Sequence, residues 1–519
     1  VGGSYAIEAI PRKIAIAAVL FILSLAIRLY FVDETSIMPD EPIYVEAGRI
    51  YLDGFRRLDF SYDVWRMNAE HPPVAKILIG LTQLAFHDIL GGDIYALYLS
   101  ARISSMIVGS LIPLSIYILG SPIYGEPTCF IAGLTIALSP WMVYHSTLAT
   151  LDIFASFFTT LSFLTLYYVK PDNRVYILLG IISGLAIGCK GTAIICLTGI
   201  LLYHIMLYVF EREGSMYKHR LLVKMVISII ISILTFISIW PWLWPNPLER
   251  GFWVLGFHAS HMIRGHTTFY AGKVYTHVPP WIPIYIIFVK NPVVTVSSVI
   301  LYVCYTIKVL IDRKHRRRDL LIISWLVGGI VTYMIFPIII GDHYILPLAP
   351  VVYISSTDIA VTTAKSERAV YRVLGFLLIV SMIVSLGVGL YRYRESPGAY
   401  VNEAIVRGDE AIIMIDTGYE DAADYMVDIG LPRDRVMVIA TPYNPGILEI
   451  DLRRKGIESV AVVDMSSIDY ADYVFIPVLY ARRYGIPKIV LDRFHLVYTV
   501  TSGNTVLTYI FEANEVTGS

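Results

Sequence analysis

Three carboxylates stand at the borders of long apolar runs: Asp40 and Glu41 in Met38-Pro39-Asp40-Glu41-Pro42, and Asp152 at the head of the run 151–169. An acid at such a border has an ordinary use as a helix N-cap, and Pro42 in the following turn suits that use. It also has a chemical use, because a carboxylate held at a membrane surface can take the proton from an attacking hydroxyl. The groups that would accompany such chemistry are Glu70, His71 and Lys76 in Ala69-Glu70-His71-Pro72-Pro73-Val74-Ala75-Lys76, Lys190 between two apolar runs, and Arg264 in the polar stretch after Trp240-Pro241-Trp242-Leu243-Trp244. Cations hold phosphate oxygens, although Lys76 and Lys190 could equally be lysines reaching from an apolar helix to water. The stretch with Arg264 also contains His258, His261, His266 and His277. His258 and His261 share a helix face at i, i+3, but no third ligand follows at a metal-binding spacing, so no metal is expected. The tryptophans there suit a membrane-interface belt or stacking on sugar faces, and sequence does not separate those uses.

Membrane spans must position these groups. Hydrophobic residues make up 56% of the 519 and charged residues 16%, with mean hydropathy +0.64, a balance far from the soluble average. A helix crosses the hydrocarbon layer in about 20 apolar residues. Runs near that length occur at 14–32, 97–119, 128–145, 151–169, 175–190, 192–210, 223–241, 283–311, 319–340, 344–362 and 370–391, and 74–90 is a marginal twelfth. Arg12 and Lys13 precede the first run without a cleavage pattern after it, so that run is expected to stay as an anchor. If 74–90 does not cross, the excess of basic residues in cytoplasmic loops places Arg12-Lys13, Lys170 to Arg174, Arg212 to Lys224, Arg313 to Arg318 and Lys365 to Arg372 inside. The expectation is a multi-pass plasma-membrane protein with a cytoplasmic N-terminus, external loops 33–96 and 242–282, and an external tail. The run Asp312-Arg313-Lys314-His315-Arg316-Arg317-Arg318-Asp319 reads as a topology anchor drawn to anionic lipid. A net charge of -1 gives no reason to expect a nucleic-acid partner. All four cysteines lie in apolar segments, which leaves no disulfide framework or cysteine zinc site in the polar regions.

The spans account for residues 1–391, and 392–519 reads as a separate α/β domain. Its apolar bursts at 411–416, 435–440, 459–464, 473–476 and 488–491 alternate with helix-like stretches at 420–429 and 446–455. Residues 496–501 and 505–511 flank Ser-Gly-Asn and predict a hairpin. No Gly-rich phosphate fingerprint opens any of its helices, which argues against a dinucleotide site.

The first 390 or so residues resemble the dolichyl-phosphate-mannose protein mannosyltransferases and the related lipid A aminoarabinose transferases, family 39 of the membrane glycosyltransferases with the C-type fold. The resemblance rests on Asp40-Glu41, on Glu70-His71-Pro72-Pro73-Val74-Ala75-Lys76, on Ser139-Pro140 leading to Leu151-Asp152-Ile153-Phe154, on Gly184-Leu185-Ala186-Ile187-Gly188-Cys189-Lys190, and on Asp342-His343-Tyr344-Ile345-Leu346-Pro347. The α/β tail differs from the β-trefoil of the eukaryotic enzymes, which suggests a prokaryotic or archaeal branch and leaves protein, lipid and glycan open as acceptors. The resemblance implies a polyprenyl-phosphate sugar as donor, such as the mannose carrier, and no cofactor. It implies Asp40 as base, with Glu41 and Asp152 positioning the acceptor or holding Asp40's surroundings. His71, Lys76, Lys190 and Arg264 are then expected at the phosphate, and Glu70, His258, His261, His343 and Tyr344 at the acceptor or sugar. The rival readings are a transporter or flippase, which would place charges mid-span in repeated broken helices, and a membrane-anchored receptor.

Overall fold

The structure, a computed structural model, describes residues 2–211, 213–336, 341–406, 408–411, 416–430 and 436–514. Among these, eight helices are long and apolar enough to cross a membrane, from Pro11–Phe31 to Ala369–Arg392. A ninth crossing would combine Glu126–Leu138 with Pro140–Ser146, which meet at 64°; Pro140 has no N–H with which to continue the ladder. The runs 151–169 and 175–190 fold as the 15-residue helices Asp152–Leu166 and Val175–Cys189, and the marginal run as the 13-residue Val74–Phe86. All three are shorter than the roughly 20 residues a perpendicular span needs. Lys290-Asn291-Pro292 divides the expected run 283–311 into Ile282–Val289 and Val293–Ile311, and the end of run 319–340 lies outside the described residues.

Outward faces are apolar. On Ala369–Arg392 the side chains of Val370, Phe376, Leu377, Val380, Val384 and Val388 are all exposed, a stripe that requires lipid rather than water. Inside the fold, small residues allow close backbone contact. A Cβ added to Gly80 would lie 2.3 Å from the carbonyl oxygen of Gly48, so Glu41–Arg57 and Val74–Phe86 touch backbone to backbone. That contact ties Asp40, which precedes one helix, to His71, which precedes the other.

The C-terminal region forms one five-stranded sheet in the order Val460–Val463, Met437–Ala440, Tyr473–Pro477, Thr505–Ala513, Phe494–Ser502. The first three strands are parallel, and the last two form the expected antiparallel hairpin. The helices Tyr419–Asp428 and Pro445–Arg454 match the expected stretches. Residues 488–491, read as a strand-like burst, instead form the helix Lys488–Arg493 after Pro487, whose fixed φ suits a helix start. The burst at 411–416 lies mostly outside the described residues. One buried apolar cluster runs from Ile153 and Tyr353 through Tyr400 and Val401 to Tyr419, Leu448 and Leu507, so sheet and helices share a core. Asn402 N–H donates to the Val289 carbonyl at 2.7 Å and Glu420 N–H to Ser36 Oγ at 3.1 Å, joining the tail to the helix Ile282–Val289 and to the first loop.

Candidate active site

Asp40 occupies the N-cap position of Glu41–Arg57, yet its side chain makes no capping bond. Its carboxylate is open to solvent and, among the described residues, has no hydrogen-bond or ion-pair partner. Surrounding protein nonetheless raises its pKa; Lys190 opposes that rise, while Asp152 and Glu41 add to it. A carboxylate that is unpartnered, accessible and raised above its usual pKa is suited to accept a proton.

Glu41 has a different task. Its Oε1 accepts from Arg102 Nε at 2.9 Å and from Ala149 N–H at 2.7 Å, and its Oε2 from Arg102 Nη2 at 2.8 Å and Met38 N–H at 2.7 Å. Arg102 also donates to the carbonyls of Val32, Thr35 and Ser36. Both residues are fully buried. The pair therefore clamps the loop that carries Asp40 to Ile94–Tyr124 and to the turn before Asp152. Of the two roles expected of Glu41, holding Asp40's surroundings fits these contacts, and facing a substrate does not.

Asp152 opens the helix Asp152–Leu166 and meets Lys190, which follows Val175–Cys189: Lys190 Nζ lies 2.7 Å from Asp152 Oδ1. Both are nearly buried, and the ammonium sits 4.8 Å from the centroid of the Tyr344 ring. Tyr344 is in turn in ring contact with His343 at 4.5 Å. This stretch is anchored beneath the site by Asp342, which contacts His145 Nε2 at 3.2 Å and Lys290 Nζ at 3.1 Å. Lys290 also donates to the Gly398 carbonyl at 2.7 Å, carrying the network into the segment before the sheet.

Around this centre stand Tyr44, His71, Glu70 and His258. The Tyr44 and His71 rings are 6.0 Å apart and those of His71 and His258 5.7 Å. His258 Nε2 contacts the Glu70 carbonyl oxygen at 3.0 Å, and Asn68 Nδ2 donates to Glu70 Oε1 at 2.6 Å. Burial, then the positive charge of Lys190, depresses the His71 imidazole well below its usual range. His261 turns away to His266, Nδ1 to Nε2 at 2.7 Å, and Arg264 donates to Ser260 Oγ at the exposed end of Pro247–Arg264. Two placements correct the expected phosphate set. Lys76 is fully buried and donates to the carbonyls of Asn68 and His71 at 2.7 and 2.8 Å, so it shapes the loop. Arg264 lies with His266 rather than with Lys190. The aromatic stretch likewise packs inward: Trp240 and Trp242 are buried with Tyr51 and Trp65.

Charged residues within the apolar runs were the unused signal. Arg102, Lys290 and Asp358 all lie in expected spans, where an ionisable group marks a partner, and each has one: Glu41, Asp342 and, at 3.2 Å, Arg318. The last pair belongs to the opposite end of the bundle, with Lys13–Glu126, Arg220–Asp172 and Arg317–Glu211. Among the described residues no group of three or more His, Cys, Asp or Glu is placed to hold a metal ion.

Residues 70–244 match the family of the dolichyl-phosphate-mannose-protein mannosyltransferases. In three dimensions the chain is similar to the archaeal oligosaccharyltransferase AglB from Archaeoglobus fulgidus in complex with an inhibitory peptide and a dolichol-phosphate. Identity is 9%, coverage is 98% of this chain and 75% of that one, and the TM-score is 0.51. A second Archaeoglobus fulgidus oligosaccharyltransferase structure, with Zn and sulfate, gives 11% identity, coverage of 95% and 72%, and a TM-score of 0.50. ArnT from Cupriavidus metallidurans bound to undecaprenyl phosphate gives 13% identity, coverage of 97% and 98%, and a TM-score of 0.49. No curated protein sequence matches.

Proposed function

Because the chain is a membrane protein of the C-type glycosyltransferase fold whose residues 70–244 match the dolichyl-phosphate-mannose-protein mannosyltransferases, we propose that it moves one sugar from a polyprenyl-phosphate carrier to an acceptor hydroxyl with inversion at the anomeric carbon. The observation that carries this reading is a division of charge: Asp40 stands open and unpartnered, while Lys190 is buried beside Asp152 and within electrostatic reach of it. An inverting displacement needs a base on the ring face opposite the leaving group. The acceptor oxygen bonds to the anomeric carbon as the bond to phosphate oxygen breaks; the hydroxyl proton goes to Asp40 and the electron pair leaves with the polyprenyl phosphate. Phosphate departs already charged, so it calls for a cation rather than an acid. Lys190 supplies that cation, and Asp152 and Tyr344 hold it in place.

The dolichol-phosphate in the AglB complex supports a polyprenyl carrier here. The family match favours mannose as the sugar, and the acceptor hydroxyl belongs to a protein, lipid or glycan. Gathering of the basic segments at the far end of the bundle favours an extracytoplasmic site. The test is to incubate purified protein with a labelled short-chain polyprenyl-phosphate mannose and membrane extract. Release of free polyprenyl phosphate in step with an inverted, labelled product is expected. Donor binding without any release of polyprenyl phosphate would contradict transfer and favour a transporter or receptor.

A further inference from the structure

The C-terminal region does more than sit beside the helices. Its short helix Val478–Tyr484 packs on the strand Thr268–Tyr270 of the second loop, with Leu479 against Phe269 and Arg482 stacked 5.8 Å over the Phe269 ring. The same packing brings Arg483 beside His266 and Tyr270. Arg483 Nε is buried and, among the described residues, has no hydrogen-bond partner. The ionisable groups acting on this guanidinium are Tyr443, Tyr270 and Tyr484, with no carboxylate among them. Those acting on His266 are His261, Arg483 and Arg264, all of them basic. A part-buried guanidinium with no counter-charge beside it gains from an anion, and its planar fork fits the oxygens of a phosphate or carboxylate.

From this junction we infer an anion subsite, formed by Arg483, Arg264, His261 and His266 between the second loop and the C-terminal sheet, that receives a negatively charged group of the acceptor. The inference rests on the transferase reading above. Position assigns the subsite to the acceptor rather than the donor. Tyr443 packs on the Phe269–Leu479 contact and lies within electrostatic reach of both Arg483 and Asp40, so it links the subsite to the proposed base. The charges acting on Asp40 itself are those of Lys190, Asp152 and Glu41, the donor-side group. An acceptor anchored on Arg483 would present its hydroxyl past Tyr443 to Asp40.

The test uses full-length protein in micelles, saturated with short-chain polyprenyl phosphate and then titrated with inorganic phosphate or acetate by calorimetry. Wild type is expected to bind one further anion, and the choice between the two probes distinguishes a phosphate from a carboxylate acceptor. Arg483→Gln should weaken that second binding about tenfold, the loss of one charge-assisted contact, and leave polyprenyl phosphate binding unchanged. Arg264→Gln lies on an exposed helix end and should weaken it in the same direction without a folding defect. Loss of polyprenyl phosphate binding in Arg483→Gln would assign the subsite to the donor and overturn the inference, as would an absent second binding event or one unaffected by both substitutions. Failure of the transferase reading looks different, since wild type would then release no polyprenyl phosphate from labelled polyprenyl-phosphate sugar, whatever it does with inorganic phosphate or acetate.

Discussion

Lys190 and Asp152 meet at 2.7 Å across a sequence separation of 38 residues, while Asp40, whose carboxyl responds to both, keeps its own oxygens free. The proposed base and the proposed phosphate ligand are thereby electrically coupled without being bonded to each other, and the coupling has a sign that experiment can read.

The protein packed around Asp40 raises its pKa most; Lys190 opposes that rise and Asp152 adds to it. A base works only when deprotonated, so activity falls as pH drops through the Asp40 pKa, and in wild type that acidic limb should lie above the usual aspartate value of 3.8. Asp152→Asn should move the limb to lower pH and Lys190→Gln to higher pH, whatever either does to the maximal rate. The pH dependence of kcat/KM measures this; shifts in the same direction would show that neither charge acts on Asp40.

Replacing Glu41 by Gln leaves the Arg102 guanidinium buried without its counter-charge. Breaking such a pair costs about 3–5 kcal/mol, so the thermal transition in micelles should fall and the folded yield with it. A Glu41→Gln protein of wild-type stability but without transfer would instead give Glu41 a direct part in the chemistry.

Gly80→Ala pushes a methyl group into the Gly48 carbonyl, 2.3 Å away on rigid backbone. The two helices must separate, at a cost of about 1–3 kcal/mol typical of overpacking. Because they carry Asp40 and His71, transfer should fall along with stability. Gly91→Ala, in open space but at a positive φ of 117°, should cost only local strain and spare transfer.

Sidedness is open to labelling. Cys304 is the exposed cysteine among four and would first be replaced by Ser. A cysteine at Asp88, in the first loop, and one at Arg313 should then react with an impermeant maleimide from opposite faces of the membrane, Asp88 from outside. Reaction of both from one face would refute the topology.

Much of this arrangement was legible in the chain. Asp40, Asp152, Lys190, His343 and Tyr344 stand out because polar residues at the ends of apolar runs are few, and helix ends at one face of a bundle converge. The roles of Glu41 and Lys76 were not legible, because nothing in a local motif shows that Arg102 or two loop carbonyls wait opposite. Arg102 and Lys290 could have been flagged as charges within spans, but their partners lie 61 and 52 residues away. Arg483 had no such signal: it belongs to an ordinary basic pair on a surface-like helix, and only the packing of Leu479 on Phe269 brings it beside the second loop. The shortness of Asp152–Leu166 was hidden because Tyr167, Tyr168 and Val169 continue the apolar run past its helical end, whereas that of Val175–Cys189, set between Arg174 and Lys190, was legible.

The claim on which the rest depends is that the free carboxylate of Asp40 removes the acceptor's proton. The direct measurement compares wild type, Asp40→Asn and Asp40→Glu for single-turnover transfer from a labelled short-chain polyprenyl-phosphate sugar, with donor affinity determined for each. Asp40→Asn should bind donor as wild type does and lose transfer by about 100-fold or more, the usual contribution of a general base, with partial return in Asp40→Glu. Near-normal turnover by Asp40→Asn at unchanged donor affinity would contradict the account.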